Sequence, residues 1–292
     1  MPCVIMGEDR VDPLRDERVA KAVRKQGMKH CYVTPWSFGR EGEVKPRWLR
    51  APIGIATTSS GQFIVGDIYE VKIFDPTGQF IQHLSLPNRR VILDVATDNN
   101  DNIYVLVSGS VYEFSNTAEL HHEFPVREGD REGFRLTVTS SKVLVLSKSN
   151  VDMYDTDGLF VCSFGEGTFG EGTFRAKSIT ALSDDRVMVA DCHDNCVHIF
   201  SEDGHHLDKF QFQGGYPRIA FHMLSEHVVI VSKKRERDIV VVEIFTKDGV
   251  FVRSTEIFAE LIERITGMTV TRDGRIAVVG NYSNFTSKVL VI

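Results

Sequence analysis

One sequence phrase returns six times, and that recurrence limits what this chain can fold into more than any other feature. The phrase is a short run rich in β-branched residues, then an aromatic position, then a polar turn that usually ends in Gly. It first reads Val71-Lys72-Ile73-Phe74 before Asp75-Pro76-Thr77-Gly78. Copies follow at Val111–Phe114, Val151–Tyr154, Val197–Phe200 and Val242–Phe245, and the chain stops on the sixth at Val289–Ile292. The aromatic position therefore falls at 74, 114, 154, 200, 245 and 292, with spacings of 40, 40, 46, 45 and 47 residues. A fixed period of this size marks a repeat architecture in which no unit buries its apolar faces alone.

Each unit reads as four short strands joined by hairpins. In the first, Ile53–Thr58 precedes a Ser60-Gly61 turn, Gln62–Gly66 follows, then Val71–Phe74, and after Gly78 comes Phe80–Leu84. Alternating apolar residues between closely spaced turn residues are what antiparallel hairpins require. Gly at the turn supplies a positive φ without a steric penalty. Ala118 replaces it in the second unit, which predicts a different turn there. Six four-stranded units predict an all-β fold, a six-bladed β-propeller.

The last unit lacks a fourth strand after Ile292. The segment His30–Gly39 offers one from the other end of the chain, finishing in the same Phe-Gly that follows a fourth strand at Phe164-Gly165. An N-terminal strand completing the C-terminal blade would close the ring and remove a sheet edge. Before it, Asp12-Pro13 opens a short helical stretch that Gly27 would end. The expected organisation is an N-terminal extension over 1–30 and a propeller over 31–292.

The units resemble NHL repeats. The resemblance rests on Pro52–Ala56, Gly61–Asp67 and Val71–Gly78, on Val187–Asp191 with Asn195–Phe200, and on the inter-blade Phe164-Gly165-Glu166-Gly167. Neither Trp36 nor Trp48 is followed by Asp, as a WD repeat would have it, and Gly214-Gly215 is the one glycine pair of the kelch kind. The resemblance covers roughly 31–292 and implies a recognition domain of the sort found at the C-terminus of tripartite-motif ubiquitin ligases. No C-x-x-C pair occurs, so this chain shows no RING or B-box of its own.

Candidate chemistry is sparse. Gly165–Gly170 matches G-x-G-x-x-G, but a dinucleotide site needs a helix to follow, and Ser178–Leu182 reads as a strand. Cys192, His193, Cys196 and His198 share one hairpin, yet a zinc site wants four convergent ligands. The pairs His121-His122 and His205-His206 read as solvated turn edges in blades that are not neighbours. The inner strands are expected at Ile53–Thr58, Ile92–Asp98, Phe134–Ser140, Ser178–Ser183, Arg218–Leu224 and Thr266–Thr271, with mostly Thr and Ser as polar content and Asp94 and His222 isolated. That pattern offers no metal cage or acid/base pair, so no catalytic residue, cofactor or metal is expected, and a metal-dependent propeller lyase or hydrolase is the disfavoured alternative.

The loops carry the functional expectation. Loops joining second and third strands share a face with loops between blades. They place Arg89, Arg90, Arg127, Arg131, Lys148, Arg175, Lys177, Lys233, Lys234, Arg235 and Arg237 there, with Tyr282 and Phe285. Cations with aromatics suit phosphate contact and base stacking. Acidic neighbours such as Glu128, Asp130, Glu132, Glu236 and Asp238 make the rim mixed in sign and favour a protein partner, with RNA the rival. The net charge of −6 is uneven: residues 1–50 hold 11 Lys/Arg against 7 Asp/Glu, and residues 51–292 hold 23 against 33. An acidic body argues against non-specific DNA binding. No apolar run reaches membrane-spanning length and no leader is legible, so membrane association is not expected. The five scattered cysteines suit free thiols in a reducing, cytoplasmic setting.

Overall fold

The computed structural model describes residues 36–39, 48–127, 134–147, 150–165, 176–233, 239–258, 262–282 and 287–292. These form six four-stranded antiparallel sheets, and no helix occurs among the described residues. Blade 1 comprises β2 (Pro52–Thr57), β3 (Phe63–Asp67), β4 (Glu70–Phe74) and β5 (Phe80–Leu84). Blade 2 comprises β6 (Ile92–Thr97), β7 (Ile103–Val107), β8 (Ser110–Phe114) and β9 (Leu120–Pro125). Blade 3 comprises β10 (Arg135–Val138), β11 (Lys142–Leu146), β12 (Val151–Asp155) and β13 (Phe160–Phe164). Blade 4 comprises β14 (Ala176–Ala181), β15 (Val187–Asp191), β16 (Cys196–Phe200) and β17 (His206–Gln211). Blade 5 comprises β18 (Tyr216–His222), β19 (His227–Lys233), β20 (Ile239–Thr246) and β21 (Phe251–Phe258). Blade 6 comprises β22 (Ile262–Val270), β23 (Ile276–Tyr282), β24 (Ser287–Val291) and, from the other end of the chain, β1 (Trp36–Phe38).

The expected closure is present. Trp36, Ser37 and Phe38 pair antiparallel with Val291, Leu290 and Val289. The first strand of each blade touches its neighbours, and β22 touches β2, so the six inner strands form a continuous ring. The expected helix between residues 12 and 27 lies outside the described residues.

The core lies between blades, in six separate clusters. Strand alternation gives each blade two apolar faces, and each face packs on the next blade. At the closure, Phe38 packs on Phe63 and Phe74 of blade 1, with ring centroids 5.2 and 4.8 Å apart. Buried apolar area of this kind is the dominant stabilising contribution.

A second contact repeats around the rim. In blades 1 to 5 the turn into the fourth strand carries a residue of positive φ, and the fourth strand of the preceding blade sets a side chain over it. Phe38 lies over Gly78, Phe124 over Gly158, Phe164 over Gly204 and Phe210 over Gly249. A Cβ at Gly158 would sit 2.3 Å from Phe124 Cγ, so these glycines serve both the φ and the ring. Blade 2 corrects a sequence expectation. Ala118 does not change the turn: it takes φ 70°, close to the 81° of Gly78. It is accommodated because Leu84 stands where blades 2, 3, 4 and 6 have Phe124, Phe164, Phe210 and Phe38, and Leu84 and Ala118 pack in one cluster. Gly158→Ala should therefore cost about 1–3 kcal/mol, from a bulky contact and a strained φ. Adding Phe124→Leu, which copies the Leu84–Ala118 pair, should recover part of that loss. Urea unfolding of the two variants checks it, and a double variant less stable than Gly158→Ala alone would contradict the pairing.

Candidate functional site

Two places in the ring gather functional chemistry, one on each face. The first is the loop face expected from the sequence. Arg89 and Arg90 lie between blades 1 and 2, Arg127 follows β9, Lys177 sits in β14 and Lys233 ends β19. Apart from the adjacent arginines, each belongs to a different strand or loop, and Lys177 lies on an inner strand. The Arg89 guanidinium lies over the Tyr69 ring at 4.7 Å. Arg90 donates to Ser110 Oγ at 2.7 Å and pairs with Glu123 at 3.5 Å. Arg127 leans onto blade 3, with its guanidinium 4.3 Å from the Phe160 ring. Lys233 Nζ donates to the Ile262 carbonyl. Tyr282 ends β23. Arg131, Lys148, Arg175, Lys234, Arg235, Arg237 and Phe285 lie outside the described residues. Apolar and aromatic side chains remain exposed on this face: Tyr69 at 38%, Val91 at 41% and Tyr216 at 44%.

The second place is the axis, where sequence reasoning passed over two arginines. Backbone register identifies one equivalent position in all six inner strands, the partner of Gly66, Leu106, Leu146, Ala190, Val231 and Val279. In ring order it holds Gly54, Asp94, Arg135, Ser178, Arg218 and Gly267. The two short polar members hold the following blade: Asp94 Oδ2 accepts from Leu136 N at 3.0 Å, and Ser178 Oγ from Ile219 N at 3.1 Å. The arginines fill the centre. Arg135 Nη2 reaches across the ring to the Thr266 carbonyl of blade 6 at 3.2 Å, and Arg218 Nε donates to the same oxygen at 3.1 Å. Arg135 Nη1 also donates to Phe134 O and Leu93 O, and Arg218 Nη1 to Pro217 O and Lys177 O.

The acceptors follow from strand geometry. Register shifts fall between Ile92 and Asp94, Ala176 and Ser178, and Ile265 and Gly267. Leu93, Lys177 and Thr266 are thus the extra residues of bulges, left out of the ladder pairing. Their carbonyls take guanidinium donors instead. The two glycines make room: a Cβ at Gly54 would lie 2.3 Å from Asp94 Oδ1, and one at Gly267 would lie 3.0 Å from Ile53 O. Burial raises the Asp94 carboxyl above its ordinary range, with Arg135 and Arg218 opposing that rise. Burial, with Arg135 nearby, pushes the Arg218 guanidinium below its own ordinary range.

Above this layer lies a cavity of about 470 Å³. Every inner strand lines it up to its second end, β10 along its whole length and the other five only from the middle, so it opens on the face of the turns between first and second strands, opposite the basic loops. Asp94, Arg135 and Arg218 form its floor, Thr57, Thr137 and Thr180 belong to its wall, and Met223 and Leu224 stand exposed at its mouth. The mouth is braced between blades: Ser59 N and Oγ donate to Asp101, Ser140 N and Oγ to Asp185, and Ser183 Oγ to Glu226. Those three acids adopt φ of 64°, 60° and 52°, the strained region that a tight turn demands.

The other sequence candidates disperse. Cys196 Sγ contacts Asp194 O, His193 pairs with Asp194 at 3.7 Å, and His198 Nδ1 faces His206 Nε2 at 3.2 Å. Burial, with His206 beside it, lowers His198 to about 4. Among the described residues no three His, Cys, Asp or Glu side chains group as a metal site. Cys162 and Cys196 are free thiols. His222 bonds to Ser225 Oγ and Arg272 O at the cavity mouth. No described helix is long and apolar enough to cross a membrane.

Comparison with known proteins defines the class as a six-bladed β-propeller and goes no further. A streptogramin B lyase superposes with a TM-score of 0.59 at 11% identity, over 88% of this chain and 98% of the lyase. The WD40 β-propeller domain of Doa1 gives 0.60 at 10% identity, over 82% of this chain and 78% of that one. Virginiamycin B lyase from Staphylococcus aureus gives 0.54 at 11% identity, over 83% and 95%. No family model matches the chain, and no curated protein matches it.

The axial layer makes a steric prediction. Gly54→Ala should displace Asp94 and lower stability by about 1–3 kcal/mol. Denaturant unfolding checks it, and an unchanged midpoint would contradict a close Gly54–Asp94 contact.

Proposed function

We propose that this chain is a non-catalytic recognition module of NHL type that binds a protein partner through its inter-blade loop face. The observation that carries the reading is the cluster of Arg89 stacked on half-exposed Tyr69 with Val91 beside them. Tyr and Arg with adjacent apolar surface are the side chains that dominate protein–protein binding energy. Arg90 and Lys233 are engaged by Glu123 and the Ile262 carbonyl, which leaves less free cation for a phosphate backbone than the sequence alone suggests. The likeness to a WD40 propeller domain agrees with a scaffold role, and the likeness to two lyases is of fold alone. In the NHL reading, the partner would be a substrate delivered to a tripartite-motif-type ubiquitin ligase. Ligase chemistry would then reside outside the described propeller.

Affinity capture with the purified chain, with and without RNase, tests the proposal. Partners should survive RNase and moderate salt. Tyr69→Ala combined with Arg89→Glu should weaken capture at least about tenfold while leaving the unfolding midpoint unchanged. Loss of every partner on RNase treatment would assign the face to RNA, and capture indifferent to the double substitution would place the interface elsewhere.

A further inference from the structure

Among the described residues, the axial floor holds more guanidinium charge than carboxylate charge. Arg135 and Arg218 face one carboxylate, Asp94, whose Oδ2 is already occupied by the Leu136 amide. All the hydrogen bonds of both guanidiniums go to neutral carbonyls: Leu93, Phe134 and Thr266 for Arg135, and Lys177, Pro217 and Thr266 for Arg218. Neither guanidinium forms an ion pair with a carboxylate among the described residues. Donors are left over. Arg135 Nε is buried without an acceptor among the described residues. Arg218, only 6% exposed, uses Nε and Nη1, and its Nη2 makes no hydrogen bond among the described residues. A buried cation without a countercharge is costly, and a charge-assisted bond to an oxyanion is among the stronger single contacts available.

The rest of the cavity tells what such an anion would carry. Its volume of about 470 Å³ falls within the range usual for small-molecule pockets, roughly 300–1,000 Å³. Ile55, Val95, Ala96 and Ile219 line it together with threonines. At the mouth Met223 is 50% exposed and Leu224 64%, apolar side chains at the open end of a polar-floored pocket. We infer that the axial cavity binds a small organic acid, a carboxylate or a phosphate monoester, with its oxyanion on Arg135 and Arg218 and a short apolar body running toward Met223 and Leu224. The site lies on the face opposite the proposed protein interface, so it stands or falls independently of that reading.

The test uses the intact chain and three probes of one chain length: hexanoate, hexyl phosphate and neutral hexanol. Binding is followed by calorimetry and by the arginine Nε–H resonances in NMR. At least one anion should bind saturably and shift the Arg135 Nε–H resonance, with hexanol leaving that resonance in place. The tighter of the two anions identifies the head group as carboxylate or phosphate. Arg135→Met should weaken the anion at least about tenfold, the loss expected for a charge-assisted bond. If that variant does not fold, displacement of the bound probe from the wild-type chain by inorganic phosphate, with the resonance returning, replaces it. No saturable binding of either anion at millimolar concentration would overturn the inference. So would an equal response to hexanol, or an Arg135→Met chain that binds as well as wild type.

Discussion

Everything else in this structure depends on three residue pairs, Trp36, Ser37 and Phe38 against Val291, Leu290 and Val289. A propeller blade buries both faces only when it has a neighbour on each side. Without the borrowed strand, blade 6 would end on the open edge of β24, and blade 1 would lose the Phe38 ring that packs on Phe63 and Phe74. An open edge is a template for mispairing as well as a loss of buried area. The closure joins the two ends of the described chain.

Ring closure brings the axial layer together. Arg135 bonds to a carbonyl of the opposite blade, which is possible only when six strand midpoints lie at one height. Three of the five acceptor carbonyls, those of Leu93, Lys177 and Thr266, come from bulges, a device that takes a residue out of the ladder and turns its carbonyl elsewhere. Two glycines, Gly54 and Gly267, leave the centre open for the guanidiniums. One local irregularity, repeated in several blades, thus produces a charged floor under a cavity lined by hydroxyl and apolar groups. The bracing by Ser59, Ser140 and Ser183 across blades fixes the shape of the cavity mouth.

The fold was legible because the repeat carries redundant information. Six phased third strands, hairpin turns and a spare Phe-Gly strand near the start all point to the same ring, and the sixth phrase ends at Ile292, paired with Ile276 as Phe74 is with Phe63. The turn at Ala118 was misread because its permissiveness comes from Leu84, a residue of the neighbouring blade. The axial site was overlooked for a related reason. Arg135 and Arg218 sat inside the expected inner strands, but a lone arginine near a strand end looks like a rim residue. Only by aligning the strands, bulges included, does the series Gly54, Asp94, Arg135, Ser178, Arg218, Gly267 emerge, and the bulges leave no mark in the hydrophobic pattern. The basic loop residues were visible as a set, but their partners were not: nothing local foretells that Arg90 meets Glu123 or that Lys233 meets a carbonyl of blade 6.

The closure can be measured directly by amide hydrogen exchange in β24 and β3, comparing the full chain with one lacking residues 1–39. In the full chain, the β24 amides should exchange at the rate set by global unfolding. Removing the first 39 residues should abolish that protection and lower it in β3, where Phe63 loses the Phe38 ring. Equal protection in β24 and β3 of both chains would contradict the account, because the ring would then be closed by something other than Trp36–Phe38.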